Sequence, residues 1–65
     1  MTRTVNRFME VMRNETKAIT FIIKCMGETE SFTKEEISKM VDIWGLEEVD
    51  NYYMLNTREM IINIK

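Results

Sequence analysis

Residues 33–46 read Thr-Lys-Glu-Glu-Ile-Ser-Lys-Met-Val-Asp-Ile-Trp-Gly-Leu, and the fold is read outward from them. Thr33 and Glu36 have the T-x-x-E spacing of a capping box, in which each side chain satisfies an open backbone N–H at a helix start. Glu35 and Glu36 also sit where the helix dipole favours negative charge. Ile37, Met40, Val41 and Trp44 follow at i, i+3, i+4 and i+7, which draws one apolar stripe. Gly45 stands where a left-handed cap would end the helix, and Leu46 is placed to fold back onto the stripe. The stretch therefore predicts an amphipathic helix over 33–44.

The flanking segments read as strands. Ala18-Ile19-Thr20-Phe21-Ile22-Ile23 is dense in β-branched and aromatic residues, and Ile19, Phe21, Ile23 and Cys25 alternate onto one face. A strand over 17–26 with that face buried is expected. After the helix, the stretch 51–65 contains the apolar runs 52–55 and 60–64, joined by Asn56-Thr57-Arg58-Glu59. They read as a hairpin without a glycine turn, with Met60, Ile62 and Ile64 on one face. Residues 4–13 fit two patterns. Val5, Phe8, Met9 and Met12 have helical spacing, whereas Val5, Met9 and Val11 fit alternation. The strand is preferred, with a turn at 13–16.

The expected architecture is a single α+β domain over residues 1–65 in two layers. An antiparallel sheet of two hairpins, in the order ββαββ, carries one amphipathic helix on one face. The other face, with Ile22, Ile61 and one of Tyr52 and Tyr53, is left partly apolar. On so small a chain that points to a homodimer or a partner. Sixty-five residues bury a modest core, and small domains often lean on disulfides, metals or a second subunit. Cys25 is the only cysteine and histidine is absent, so neither a disulfide nor a zinc centre is expected. The longest uncharged run is far too short to span a bilayer. With one free thiol and no signal-like start, a cytoplasmic location is expected.

The chemistry the residues offer is thin. Without histidine the usual general base and the Ser–His and Cys–His pairs are missing. Gly27 and Gly45 are the only glycines, too few for a phosphate-cradling loop. Glu35-Glu36 is accounted for by capping, and Glu47-Glu48 lacks the alternating ligand spacing of a calcium loop. No enzyme and no cofactor are expected.

Charge ranks the partners. Residues 1–24 carry net +3 and residues 25–65 net −5, with −6 gathered between 28 and 50. Nucleic acid demands clustered cations, so it is disfavoured, although Arg3, Arg7 and Arg13 form a small basic set. An acidic surface suits a basic groove, such as the channel of a nucleic-acid-handling protein. The partner-binding set is Glu47, Glu48, Asp50, Tyr52, Tyr53 and Phe32, the aromatics serving as anchors. Phe32 has a second reading, as the apolar residue that staples onto the first turn of the helix.

Residues 33–40 also resemble the first helix of a helix-turn-helix, a likeness of about twenty residues in all. It implies a compact (winged) helix-turn-helix regulator of transcription whose reading helix is 47–55, opened by Glu47, Glu48 and Asp50. Seven methionines, no proline and frequent Asn, Ile and Lys are similar in composition to small bacteriophage proteins. The leading expectation is a non-enzymatic protein that binds and inhibits or redirects another macromolecule, in its specific version a phage-encoded inhibitor of a host enzyme or defence system. A regulator of transcription is the alternative, and an antitoxin the third reading.

Overall fold

The expected helix forms where its signals place it. In the computed structural model, which describes residues 3–65, a single 3-10 turn (Lys34–Glu36) leads into helix α2 (Ile37–Trp44). Thr33 N–H donates to Glu36 Oε1 at 3.0 Å, and the Thr33 side chain accepts from the Glu36 amide, completing the capping box. Hydrogen bonds to the carboxyl from the Thr33 backbone N–H and, second, from the Thr33 hydroxyl, with a smaller contribution from Lys39, hold Glu36 below its ordinary pKa against a slight opposing effect of burial. A carboxylate depressed in the folded state adds stability above its unfolded pKa, and that stability is lost as pH falls through the folded value. Glu36→Gln is therefore expected to melt below wild type at neutral pH. The gap should close as pH drops through the carboxylate range in a thermal-melt series.

The helix stops differently from expectation. Gly45 is right-handed, at φ −56° and ψ −33°, so it is not a left-handed cap. Glycine is needed for room, because a Cβ there would run into the Val41 carbonyl oxygen. Leu46 does not return to the stripe and is 93% exposed.

Residues 4–13 are not a strand. Arg3–Thr4 form a two-residue strand, β1, and Val5–Glu15 form helix α1. Thr4 is its N-cap and accepts from the Arg7 amide at 3.3 Å. The amides of Val5 and Asn6 reach across to the carbonyls of Glu47 (2.8 Å) and Gly45 (3.0 Å), so the end of α2 satisfies donors that a helix start leaves open. Alternation would have put Phe8 and Met12 in water. The helix instead takes Val5, Phe8 and Met9 fully inside, with Met12 packed against the core.

Two hairpins follow. Strand β2 (Thr20–Cys25) pairs with β3 (Glu28–Thr33), and β4 (Glu48–Met54) pairs with β5 (Glu59–Ile64). The first hairpin is thus not the expected one, since β3 was not foreseen and the N-terminal segment is helical. From Thr20 onward the chain does run strand, strand, helix, strand, strand, but a strand and a helix precede it. Nor is the sheet purely antiparallel. Its order is β1-β4-β5-β2-β3, with β2 and β5 parallel at the centre. The α2 segment carries the chain from β3 at one edge to β4 towards the other, running opposite to both strands. Because residues 48–54 are strand, the helix-turn-helix reading fails: the helix it needs at 47–55 does not exist.

The turns have local causes. Met26 and Gly27 both adopt positive φ, 50° and 86°, as a two-residue hairpin loop requires. Met26, 96% exposed, gains nothing from its side chain there. Met26→Asn is expected to stabilise by about 0.5–1 kcal/mol in a denaturant titration, because asparagine tolerates the left-handed region. In the second hairpin Asn56 replaces a glycine. Its Oδ1 accepts from the amides of Arg58 (2.9 Å) and Glu59 (3.0 Å).

Both helices cover one face of the sheet, one more than expected. Phe21 and Ile23 of β2, Phe32 of β3 and Met60, Ile62 and Ile64 of β5 meet Val5, Phe8, Met9, Ile37 and Met40 in the core. Ile19 lies just ahead of β2, bonded through its amide to the Arg58 carbonyl at 2.8 Å, and is half exposed. Phe32 and Ile37 are each 3% exposed, the positions a staple joins. No helix of the described residues is long and apolar enough to cross a membrane.

Candidate binding surface

Strand β4 is where the interior ends and a surface begins. Every residue of Glu48–Met54 is exposed except Val49, which is half-buried. Yet Tyr52, Tyr53, Met54 and the following Leu55 are large apolar residues, each 44–55% exposed. Four in a row left in this state is unusual in a chain whose other strands bury such side chains.

The backbone explains the exposure. Among the described residues, strand β4 is flanked on its outer side by β1 at Glu48 and Val49. The Leu55 amide donates to the Glu59 carbonyl at 2.9 Å, and in an antiparallel ladder alternate residues point their amides and carbonyls to opposite sides. The N–H and C=O of Tyr53 therefore face β5, and those of Tyr52 and Met54 face outward, where no strand meets them among the described residues. A register shift between Val49 and Asn51 separates this open portion from the β1 pairing.

Successive side chains fall on opposite faces. Tyr52 lies on the helix side, its ring edge-on to Phe8 with centroids 4.8 Å apart and planes at 61°. Beside it runs an open groove lined by Arg3, Phe8, Val49, Asp50, Asn51 and Tyr52. Tyr53 lies on the other face, which no helix covers.

That bare face can be mapped from the strand register. Its middle row, read across β4, β5, β2 and β3, is Tyr53, Ile61, Ile22 and Ser31. Ile61 is 3% exposed and yet stands outside the core cluster, screened by its neighbours alone. Towards the Asn56 turn the next row is Leu55, Glu59, Thr20 and Thr33, Leu55 being placed by its bond to Glu59. Towards the Met26 turn it is Asn51, Asn63, Lys24 and Thr29. Asn63 Nδ2 donates to Asn51 Oδ1 at 2.7 Å. Glu59 and Lys24 are the only charges on the three rows.

The six residues read from the sequence are divided by this geometry. Glu47, Glu48 and Asp50 gather at the start of β4. Glu48 lies 4.0 Å from the Lys65 ammonium with both side chains about half exposed, a weak surface pair. Asp50 accepts from Asn51 Nδ2 at 3.3 Å and shares the groove with Arg3. Tyr52 and Tyr53 stand on opposite faces. Phe32 leaves the set, because it is buried on β3 at the far edge and can touch no partner. Trp44, expected in the core, is half-buried at its margin and donates Nε1–H to Glu30 Oε2 at 3.0 Å. Sequence reasoning missed the bare β4 edge, whose only signal was Tyr-Tyr-Met-Leu with no residue set to cover it. Among the described residues no three carboxylate or thiol groups converge as a metal site requires. Comparison of the chain with protein-family models, with curated proteins and with solved structures finds no match.

Proposed function

We propose that the protein is a non-enzymatic binding module that takes an extended segment of a partner protein as an added strand on the open edge of β4. Strand addition supplies affinity through main-chain hydrogen bonds and specificity through side chains on alternate faces. The observation that carries this reading is the run of half-exposed residues from Tyr52 to Leu55 beside outward-facing backbone at Tyr52 and Met54. Edges of this kind are normally blunted by lysine, proline or a covering element, and residues 51–57 contain no charge and no proline. The opposite edge, β3, carries Glu28 and Glu30 and is protected in that sense. Glu47, Glu48 and Asp50 at one end of the open edge favour a partner segment of basic character, and long-range attraction of that sort acts mainly on the association rate. An inhibitor that seats itself in the basic groove of a larger protein, such as the phage-encoded kind its composition resembles, fits this description.

Met54→Pro tests it. The Met54 amide makes no bond to β5, so proline there blocks the edge while sparing the β4–β5 ladder. Affinity capture with the wild-type protein identifies what it retains. Binding of that partner is expected to fall by roughly tenfold or more in Met54→Pro, and to slow amide exchange at Tyr52 and Met54 in the wild type. A folded Met54→Pro that binds as well as wild type would overturn the proposal.

A further inference from the structure

We infer that the sheet face turned away from the helices is the contact between two copies of this chain, packed across a two-fold axis that lies along the row Tyr53, Ile61 and Ile22. This goes beyond the strand-addition reading and uses a different surface.

Charge chooses the occupant and the axis. A two-fold along the middle row, across the strands, lays that row on itself and exchanges the rows on either side. Lys24 of one copy then lies over Thr20 of the second. Thr20 is the register neighbour of Glu59, so the ammonium comes within reach of the second copy's Glu59 carboxylate. The same pairing recurs by symmetry on the other side of the apolar row. The only two charges of the three rows thereby neutralise each other twice, and no like charges meet among those rows. Within one copy Lys24 and Glu59 cannot pair, because Lys24 stands four residues along β2 from the register partner of Glu59, roughly 13 Å away. A two-fold along the strands instead puts Tyr53 over Ser31 and leaves Lys24 two rows from the second copy's Glu59. The strands of the two sheets run nearly in line under the chosen axis, as packed sheets prefer.

The apolar row supplies the centre. Ile61 is already shielded, Ile22 is half-buried and Tyr53 is 47% exposed, so docking dries a strip that Asn, Thr and Ser surround. Four strands by three rows cover on the order of 400 Å² in projection, below the ~800 Å² per partner of a standard interface. The association is therefore reversible and concentration-dependent.

Sedimentation velocity on the intact protein, from micromolar to millimolar concentration, tests this. Wild type is expected to pass from monomer to dimer. Lys24→Glu sets like charges against Glu59 and is expected to weaken the dimer by roughly tenfold or more, with Lys24→Glu/Glu59→Lys returning towards wild type. Tyr53 meets itself on the axis, so Tyr53→Asp and Tyr53→Lys should each be monomeric alone and should associate when mixed. That rescue requires both variants to be folded, which guards against loss by unfolding. Wild type remaining monomeric at millimolar concentration would overturn the inference. So would a dimer abolished by Met54→Pro but indifferent to Lys24→Glu, which would place self-association on the β4 edge instead.

Discussion

Phe21→Ala is expected to bring the chain to the edge of unfolding at room temperature. The Phe21 ring is fully buried at the crossing of the sheet, level with Phe32 on one side and Met60 on the other. Truncating a buried phenylalanine costs about 3–5 kcal/mol, through lost transfer energy and the cavity left behind. At about 0.05–0.15 kcal/mol per residue, a chain of 65 residues holds roughly 3–10 kcal/mol in all. The loss consumes all of that at the lower end and about half at the upper, and there is no disulfide to hold the chain together. Far-UV circular dichroism in a urea series measures it. A cooperative transition close to the wild-type midpoint would mean that the two helices repack over the gap.

The second large effect separates two neighbouring positions. Tyr53→Pro is expected to destabilise strongly, whereas Met54→Pro is expected to stay within about 1 kcal/mol of wild type. Proline at 53 removes an amide directed at Ile61 and strands a carbonyl in the middle of the sheet, which costs about 1–3 kcal/mol before any steric displacement of β5. Proline at 54 removes an amide that faces outward. Thermal melting of the two variants reads the difference directly. Equal destabilisation would show that the β4–β5 register is not the one described, and the open edge would move to other residues.

What could be read beforehand followed from how local the determinants are. The α2 helix was legible because start and stripe lie within twelve consecutive residues and agree. Its stop was half legible: Gly45 marks the place, but as a position without room for a Cβ and not as a left-handed turn. Helix α1 was ambiguous because Val5 and Met9 satisfy both periods. Only Phe8 and Met12, which alternation would leave in water, decide it. Strand β3 was invisible because a strand at the sheet edge, under the margin of the helices, needs one inward anchor. Phe32 supplies it, and Glu-Thr-Glu-Ser before it reads as loop. The parallel pairing of β2 with β5 joins residues about forty apart, and nothing in either segment announces the other.

Of the candidate surface, the aromatic pair was legible as a contact, since adjacent tyrosines on a strand must point opposite ways. Which faces stay open was not, because that depends on both helices choosing the same side. Phe32 was misplaced among the contacts for the same reason.

The position of β5 between β4 and β2 has a consequence for how the molecule comes into being. The β2–β3 hairpin and strand β4 have no ladder in common until residues 59–64 slide between them, so neither has a finished sheet to rest on earlier. On a ribosome those residues are the last of this stretch to be made. The sheet can therefore close only after they emerge, and until then Tyr-Tyr-Met-Leu and Phe-Ile-Ile are both open to whatever meets them first.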